Sequence, residues 1–470
     1  MELGIARMTD SRLERLRKFN QGHLWNFSSD LPADARARLE QQIDSIDFEQ
    51  LAQLVAGQEG DADWKELSSK ALPPPAVRLG QPNPDFSTED ARRAGEEALR
   101  QGKVGMLLVA GGQGSRLGFN LPKGLFPIGP VSGRSLFQMQ CDRLAALGRK
   151  YGADIPLFIM TSPSTDAETR DYFAREQHCG LKEGQIQFFC QGQMPAVEAK
   201  SGQVLLAAKD DVALSPDGHG GIVTALEKSG CLNDAQRRGV QLFYYAQIDN
   251  PLAELCDPLL IGFHLLAHSQ ITTQVVKKRF AKEKVGNVVS IEGKVQIIEY
   301  SDLPDSVAEH TTPDGGLRLW AGNIAIHVFD VGFLDAVSKQ ANGLPFHRAH
   351  KKVAYLDEHG QLITPSEPNA IKFERFVFDL LPMAERALVV EADAARVFAP
   401  VKNADGAPVD TPELAKAAIL RLHQTWLEEA GARIDEGVRV EIHPSWALDE
   451  AEVQEKIKGD LHFTADTFLT

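Results

Sequence analysis

The sequence predicts an α/β protein with a Rossmann-like mixed sheet at its core, a helical N-terminal region and a small C-terminal region. Three observations carry this. From Val104 onward, short and nearly all-apolar segments alternate with helix-patterned ones, as buried parallel strands and their crossovers do. A glycine-rich turn, Gly111-Gly112-Gln113-Gly114-Ser115-Arg116-Leu117-Gly118, follows the first of those segments. A later set, Gly286–Tyr300 and Leu317–Val328, reads as antiparallel, with Gly293 placed as a hairpin turn, and is expected to form one wall of a cleft.

In chain order, residues 1–70 read as helical. Arg12–Phe19 and Ala33–Val55 carry apolar residues three and four apart between charges. The run Ala71-Leu72-Pro73-Pro74-Pro75 ends that pattern as a connector. Ser87 or Thr88 then caps a helix with Glu89 and Asp90 in its first turn, ending near Gly102. Strands are expected at Gly105–Val109, Leu157–Thr161, Ile186–Phe189, Leu242–Gln247 and Thr273–Lys277, with helices starting near Leu136 and Asp166. Beyond about Phe398 come a polar loop (Lys402–Thr411), an amphipathic helix (Pro412–Glu429) and a short terminal portion.

With 470 residues, 43% of them hydrophobic, the chain can bury a large core divided into two or three regions. The expected divisions are a helical region at 1–100, a catalytic domain at 101–397 and a small region at 398–470. A net charge of −15 argues against nucleic-acid or anionic-membrane partners, although a few local cations can reverse the field inside one cleft. No apolar run approaches the ~20 residues of a membrane span, and the N-terminus opens no signal peptide. The cysteines at 141, 179, 190, 231 and 256 are odd in number and scattered, which suits a reducing, cytoplasmic setting without disulfides or zinc. His264 and His268 lack the Glu of a zincin and read as a packed or capping pair.

The glycine turn carries the chemistry. Gly111, Gly112 and Gly114 let the backbone bend and bring its N–H groups to a ligand, while Arg116 and Lys123 add cationic charge to the same loop. That combination suits a polyphosphate. The dinucleotide fingerprint fails because Leu117 stands where its last glycine belongs, which disfavours a nicotinamide dehydrogenase. A Walker loop fails too, since no Gly-Lys-Ser/Thr follows. Further polar clusters stand at the ends of apolar segments: Cys190–Pro195, Ser215–Gly221, Ile248-Asp249-Asn250-Pro251, Gly322-Asn323, Lys372–Asp379 and Val401-Lys402-Asn403.

With the loop at 111–123, this ordered series resembles the eukaryotic-type UDP-N-acetylhexosamine pyrophosphorylases of the UDP-sugar uridylyltransferase superfamily, from about residue 104 to 405. The resemblance implies a nucleotide-diphospho-sugar transferase type of core. It also implies transfer of uridylyl from UTP to N-acetylglucosamine or N-acetylgalactosamine 1-phosphate, with magnesium as cofactor and the chain a monomer or weak homo-oligomer. Carried onto this sequence, it places Ala110, Gly111, Gly112 and Gly114 on the nucleotide, Gln191 and Gly218 on the uracil edge, and Asp249 at the diphosphate and the magnesium ion. Arg116, Lys123 and Lys402 are the catalytic cations, and Lys372 is a further phosphate-binding lysine. His219, Gly286, Glu299, Tyr300, Asn323, Phe376 and Phe378 match the sugar pocket.

Plain structural roles stay open beside these. Gln191 can be a turn residue, Asp249 an Asx turn or helix cap, Phe376 and Phe378 core packing, Glu299 a surface residue, and Lys402 a solvated charge. Two residues depart from the pattern: His219 replaces an Asn beside the sugar, and Ala370 replaces a frequent Gly. The segment after 405 is also shorter than in animal enzymes. Gly-His-Gly at 218–220 resembles the glucose-using members instead, so a UDP-glucose or UDP-galactose pyrophosphorylase is the enzymatic alternative. A catalytically silent UDP-sugar-binding module is the alternative of a different class.

Overall fold

A computed structural model describes residues 10–57, 64–340 and 343–470, and the apolar segments from Val104 onward assemble there into one nine-stranded mixed sheet. Its strands are β1 (Val104–Val109), β2 (Leu157–Thr161), β3 (Ile186–Cys190), β4 (Leu242–Gln247), β5 (Ile271–Lys277), β6 (Asn287–Ile291), β7 (Lys294–Ile298), β8 (Ala321–Asp330) and β9 (Ala387–Ala392). The order is β7-β6-β8-β4-β1-β2-β3, and β5 runs along the other edge of β8 and pairs with β9. Strands β4, β1, β2 and β3 are parallel, as their apolar composition predicts.

The hairpin is antiparallel as expected, β6 pairing with β7 around Gly293, and β6 joins β8 at Asn287 and Gly322 and so extends the central sheet. One expectation is corrected. β5 was expected among the parallel strands but lies antiparallel to β8 and parallel to β9. Composition reports burial on both faces and is silent on direction. Pairing of β5 with β8 shifts register between Gln274 and Val275, where Ala325 of β8 takes a left-handed φ of 56°. The Asn323 side-chain carbonyl accepts the Ala325 N–H at 3.0 Å and stabilises that bulge.

The chain forms two compact units that cut across the expected consecutive divisions. The larger comprises residues 63–190, 222–343 and 378–470 and holds the whole nine-stranded sheet. Its longest helices include α1 (Thr88–Arg100), α2 (Leu136–Tyr151), α3 (Asp166–Arg175), α4 (Pro258–Leu266) and α5 (Pro412–Glu429). Ser87 caps α1 by accepting the Asp90 N–H at 3.0 Å. Met106 and Leu108 of β1 pack with Phe137 and Leu144 of α2 and Leu260 and Ile261 of α4 in the main core. The C-terminal region keeps its own cluster around Trp426, Val440 and Val453, yet Ala415 and Ile419 of α5 join the main core. It therefore belongs to this unit.

The smaller unit comprises residues 1–62, 191–221 and 344–377. Its N-terminal helices are Asp10–Lys18, Ala33–Ser45 and Phe48–Val55; the residues before Asp10 and those at 58–63 lie outside the described set. The stretch Ala33–Val55 breaks at Ile46, because the Asp47 carboxylate accepts the Gln50 N–H at 3.0 Å and starts a new helix. Leu39, Ile43, Phe48 and Leu51 pack against Val197, Phe346, Ile371 and Phe373. The helical N-terminal residues thus complete a core with segments that come much later in the chain. A three-stranded antiparallel sheet, His347–Lys351, Ala370–Glu374 and Val197–Glu198, backs that core.

Candidate functional site

In the larger unit, Val109 of β1 lies level with Met160 of β2 and Gln247 of β4. The residues that follow these three strands therefore emerge side by side at one carboxyl edge, where α/β sheets hold their ligands. The glycine loop is tied down there. Ser162 Oγ donates to the Gly111 carbonyl at 2.7 Å, Gln113 Nε2 to the Ser164 carbonyl at 2.8 Å, and the Lys123 N–H to the Gly112 carbonyl at 3.0 Å. Gly114 is required by crowding, since a Cβ there would fall 2.7 Å from the Phe119 carbonyl oxygen. Neither crowding nor a left-handed φ requires glycine at 112, where a Cβ would meet nothing within 4 Å. Arg116 is exposed on this loop and makes no ion pair among the described residues, while Ala110 is buried at its root.

Lys123 crosses to the end of β4, where its Nζ lies 3.6 Å from Asp249 Oδ2. The next residue ties this turn to a distant segment: Asn250 donates from Nδ2 to the Val397 carbonyl at 2.8 Å, and its Oδ1 accepts the Ala399 N–H at 3.1 Å. Asp249 turns its carboxylate to Lys123 instead of a backbone N–H. Its carbonyl accepts the Val401 N–H at 2.8 Å, so Lys402 follows directly on a segment bonded to Asp249. Lys123, Asp249 and the Lys402 loop are brought together.

Gly286, Glu299 and Asn323 also converge. A Cβ on Gly286 would sit 3.3 Å from Glu299 Oε1 and 3.6 Å from Asn323 Cβ, and the Asn323 N–H donates to the Gly286 carbonyl at 2.8 Å. With Oδ1 of Asn323 committed to Ala325, its amide nitrogen is the group left to donate. Tyr300, next to Glu299, is 47% exposed, whereas Phe378 is buried in the one-turn helix Val377–Leu380. Phe376 precedes that turn, so the two phenylalanines do not share one strand.

The smaller unit holds the other expected site residues. Gln191 is buried, and the following Gly192 abuts Asp217, whose Oδ2 lies 2.6 Å from the position of a glycine Cβ. Asp217 and the turn 218–221 are laced to 375–377: Arg375 N–H donates to the Asp217 carbonyl at 2.7 Å and Gly220 N–H to the Arg375 carbonyl at 2.8 Å. Gly218 has a φ of 83° and a Cβ position 2.4 Å from the Arg375 carbonyl oxygen, so only glycine fits. His219 stacks on Phe376 at 5.4 Å between ring centroids, and its Nδ1 accepts the Val377 N–H at 3.1 Å. That bond assigns the ring proton to Nε2. Burial first, and the field of His347 second, lower the His219 pKa to about 4, so the ring is neutral at pH 7. Lys372 occupies the strand face opposite to Ile371 and Phe373, which point into the unit's core.

Sequence reasoning missed Ser162, which the polar run Thr161–Asp166 directly after β2 could have revealed. Asn250 and Asp217 stood inside polar clusters that it singled out, but their bonds to Val397, Ala399 and Arg375 join segments distant in sequence, which no local signal reports.

A family-wide profile described as UTP--glucose-1-phosphate uridylyltransferase matches residues 48–449. The chain belongs to this family. The matched span takes in every site residue placed above. A human relative, UDP-N-acetylhexosamine pyrophosphorylase-like protein 1 from Homo sapiens, is 36% identical over 92% of this chain and 87% of its own length. UDP-N-acetylglucosamine pyrophosphorylase from Saccharomyces cerevisiae is 38% identical over 74% of this chain and 75% of its own. The fold matches the crystal structure of the uridine diphosphate N-acetylglucosamine pyrophosphorylase from Trypanosoma brucei, with a TM-score of 0.81, 24% identity and coverage of 98% of this chain and 100% of that one. As a uridylyltransferase, the protein has to hold a triphosphate tail and a second phosphate anion together, and the cations at the edge of β1 and β4 suit that task.

Proposed function

We propose that this chain makes a UDP-sugar and pyrophosphate from UTP and a sugar 1-phosphate, with N-acetylglucosamine or N-acetylgalactosamine 1-phosphate as the preferred acceptor. The observation that carries the reading is the meeting of Lys123, Asp249 and the Lys402 loop at the carboxyl edge of the parallel strands. A phosphate oxygen of the sugar phosphate attacks the α-phosphorus of UTP in line. A new P–O bond forms as the bond from the α-phosphorus to the bridging oxygen breaks, and pyrophosphate leaves with that electron pair. The attacker is already an anion, so no protein nucleophile or base is needed. Repulsion between two anions is the barrier, and positioned cations lower it.

Arg116 and Lys123 hold the departing pyrophosphate, Lys402 and Lys372 the reacting phosphates, and the backbone at 110–114 the nucleotide. Gln191 and Gly218 read the uracil edge. The donor set fits magnesium bound largely through substrate: among the described residues no group of three or more His, Cys, Asp or Glu side chains could hold a metal alone, and Asp249 supplies the one carboxylate that such a site needs beside phosphate oxygens and water. Bound there, magnesium would neutralise charge shared by the phosphates.

The names of the human and yeast relatives support an N-acetylated acceptor, and Gly286, Glu299 and Asn323 offer polar groups to a sugar. His219 favours a second reading, a glucose or galactose 1-phosphate acceptor. As a neutral ring with Nδ1 committed to Val377, it offers a donor where an asparagine offers both a donor and an acceptor. No helix among the described residues is long and apolar enough to cross a membrane. A cytoplasmic setting and a monomer or weak homo-oligomer complete the proposal, the former supported by the scattered cysteines.

The test is pyrophosphate release from UTP and magnesium across the four acceptors, glucose, galactose and their 2-acetamido counterparts as 1-phosphates. Faster release with the 2-acetamido pair supports the reading, and faster release with the plain pair supports the alternative. Binding of UTP with no release from any acceptor identifies a silent binding protein.

A further inference from the structure

The loop 278–286 joins β5 to β6, and the lysine at its start is tied to the asparagine just past its end. Lys278 and Asn287 are only 4% and 2% exposed, so both polar side chains need partners inside the protein. Lys278 Nζ donates to Asn287 Oδ1 and, at 3.3 Å, to the Ala281 carbonyl. Asn287 Nδ2 donates onward to the Ile298 carbonyl of β7, also at 3.3 Å. The Lys278 N–H meets the Trp320 carbonyl, one residue before β8, at 2.8 Å. This junction therefore draws together the ends of β5, β6, β7 and β8.

Its members stand next in sequence to the three residues that converge at Gly286. Asn287 follows Gly286 and Ile298 precedes Glu299, while Gly322, level with Asn287 in the sheet, precedes Asn323. Gly322 also meets the lysine directly, since a Cβ there would fall 3.2 Å from Lys278 Cγ. The loop itself has a separate brace: the Glu283 carboxylate accepts the Arg279 N–H at 2.7 Å and its Nε–H at 2.6 Å. An apolar pair could fill the space of Lys278 and Asn287, because buried charge carries a desolvation cost. What the hydrogen bonds add is fixed direction.

We propose that Lys278, acting through Asn287, is a positioning residue that sets the acceptor-sugar pocket by fixing the spacing of Gly286, Glu299 and Asn323. The inference rests on the reading of those three residues as sugar ligands. It assigns Lys278 no contact with either substrate. The nucleotide residues on β1 and β4 share no hydrogen bond with the pair among the described residues, so the effect falls on the acceptor and not on UTP.

The test compares Lys278→Met, Asn287→Leu and the double variant with wild type. Substrates are UTP, magnesium and whichever of the four sugar 1-phosphates wild type uses fastest. Each single variant leaves a buried polar group without its partner, and its unfolding midpoint should fall. The double variant removes both partners and should be no less stable than either single one. All three are expected to raise the KM for the sugar phosphate about tenfold, with the KM for UTP and kcat changed by less than about threefold. The double variant should be no worse in that KM than a single one, because both changes break the same link. A sugar-phosphate KM that stays at the wild-type value, recovers with stability in the double variant, or rises equally with that for UTP would overturn the inference. So would a fall in kcat of ~10²-fold or more confined to Lys278→Met, which marks a lysine acting directly on phosphate. A double variant that does not fold marks a purely structural pair and overturns it too. A wild type inactive with every acceptor sinks the functional reading as well; an active wild type with an unmoved acceptor KM in the variants sinks this inference alone.

Discussion

The ammonium group of Lys123 lies 3.6 Å from Oδ2 of Asp249, with the two side chains only 17% and 14% exposed. The contact is longer than a tight charge-assisted hydrogen bond, so it neutralises each group without locking either. On the proposed function, an arriving polyphosphate would take the lysine and leave the carboxylate to a cation. The pairing keeps two opposite charges at one strand edge without leaving either unpaired in a partly desolvated place.

Lys123→Ala should lower turnover by ~10²-fold or more, the scale of removing one strong electrostatic donor at a reacting centre. Pyrophosphate release by the folded variant, checked by circular dichroism, measures this. Near-normal turnover would take Lys123 out of the chemistry.

The glycine loop offers a paired experiment. Gly112→Ala should leave the unfolding midpoint unchanged, because the added methyl meets nothing within 4 Å, yet raise the KM for UTP if nucleotide approaches that backbone. Gly114→Ala should destabilise the protein by about 1–3 kcal/mol, since its methyl would press on the Phe119 carbonyl. Denaturant melts and UTP titrations of both variants separate packing from binding. An unaltered KM in Gly112→Ala removes ligand approach as the reason for that glycine.

Glu441, 2% exposed, accepts the N–H groups of Val131 and Ser132, each at 2.7 Å, and the Ser132 hydroxyl at 2.8 Å. It ties the C-terminal region to the loop that precedes α2. Glu441→Gln replaces a charged acceptor by a neutral one: its one oxygen can serve the two backbone donors, and its amide nitrogen then faces the Ser132 hydroxyl, which loses its acceptor. A loss of about 1.5–3 kcal/mol in urea unfolding is expected, with turnover at 25 °C unchanged. Wild-type stability in this variant would show that the anchor carries no weight.

Acid stability should depend on buried histidines. Burial lowers the pKa of His264 from 6.5 to about 4, and the 2% exposed ring bonds Thr272 Oγ1 at 2.9 Å. Below pH 6.5 the unfolded chain protonates this histidine while the folded chain does not. Its contribution is therefore complete above about pH 6.5 and is lost as pH falls toward 4, by about 1.4 kcal/mol per pH unit. The difference in unfolding free energy between wild type and His264→Gln should shrink by that slope over the window and stay flat above pH 7. A flat difference throughout would mean that the ring takes up its proton equally well in the folded and the unfolded chain.

Much of the fold is written locally. Leu107 and Leu108 mark a buried strand, Ser87 a helix start and Pro412–Glu429 a helix, because burial on both faces, an N-cap and a 3.6-residue period each need only a few neighbouring residues. The glycine-rich turn after β1 was legible for the same reason, as was the ordered series of polar strand ends through which the family could be recognised. Direction of pairing was not: β5 is apolar whichever neighbour it finds, and only β8 and β9 set its orientation.

The sequence by itself determined which segments are buried, where their ends lie and which cations and carboxylates stand at those ends. Tertiary structure alone decided which partner each found: that Asn250 bonds Val397 and Asp249 faces Lys123, that the N-terminal helices complete a core with residues 197 and 346–373, and that the Asp249 carbonyl takes the Val401 N–H. The physical reason is range. A strand or a cap is specified by interactions within a few residues, whereas a charge finds its partner through contacts between segments that the chain brings together only after it has folded.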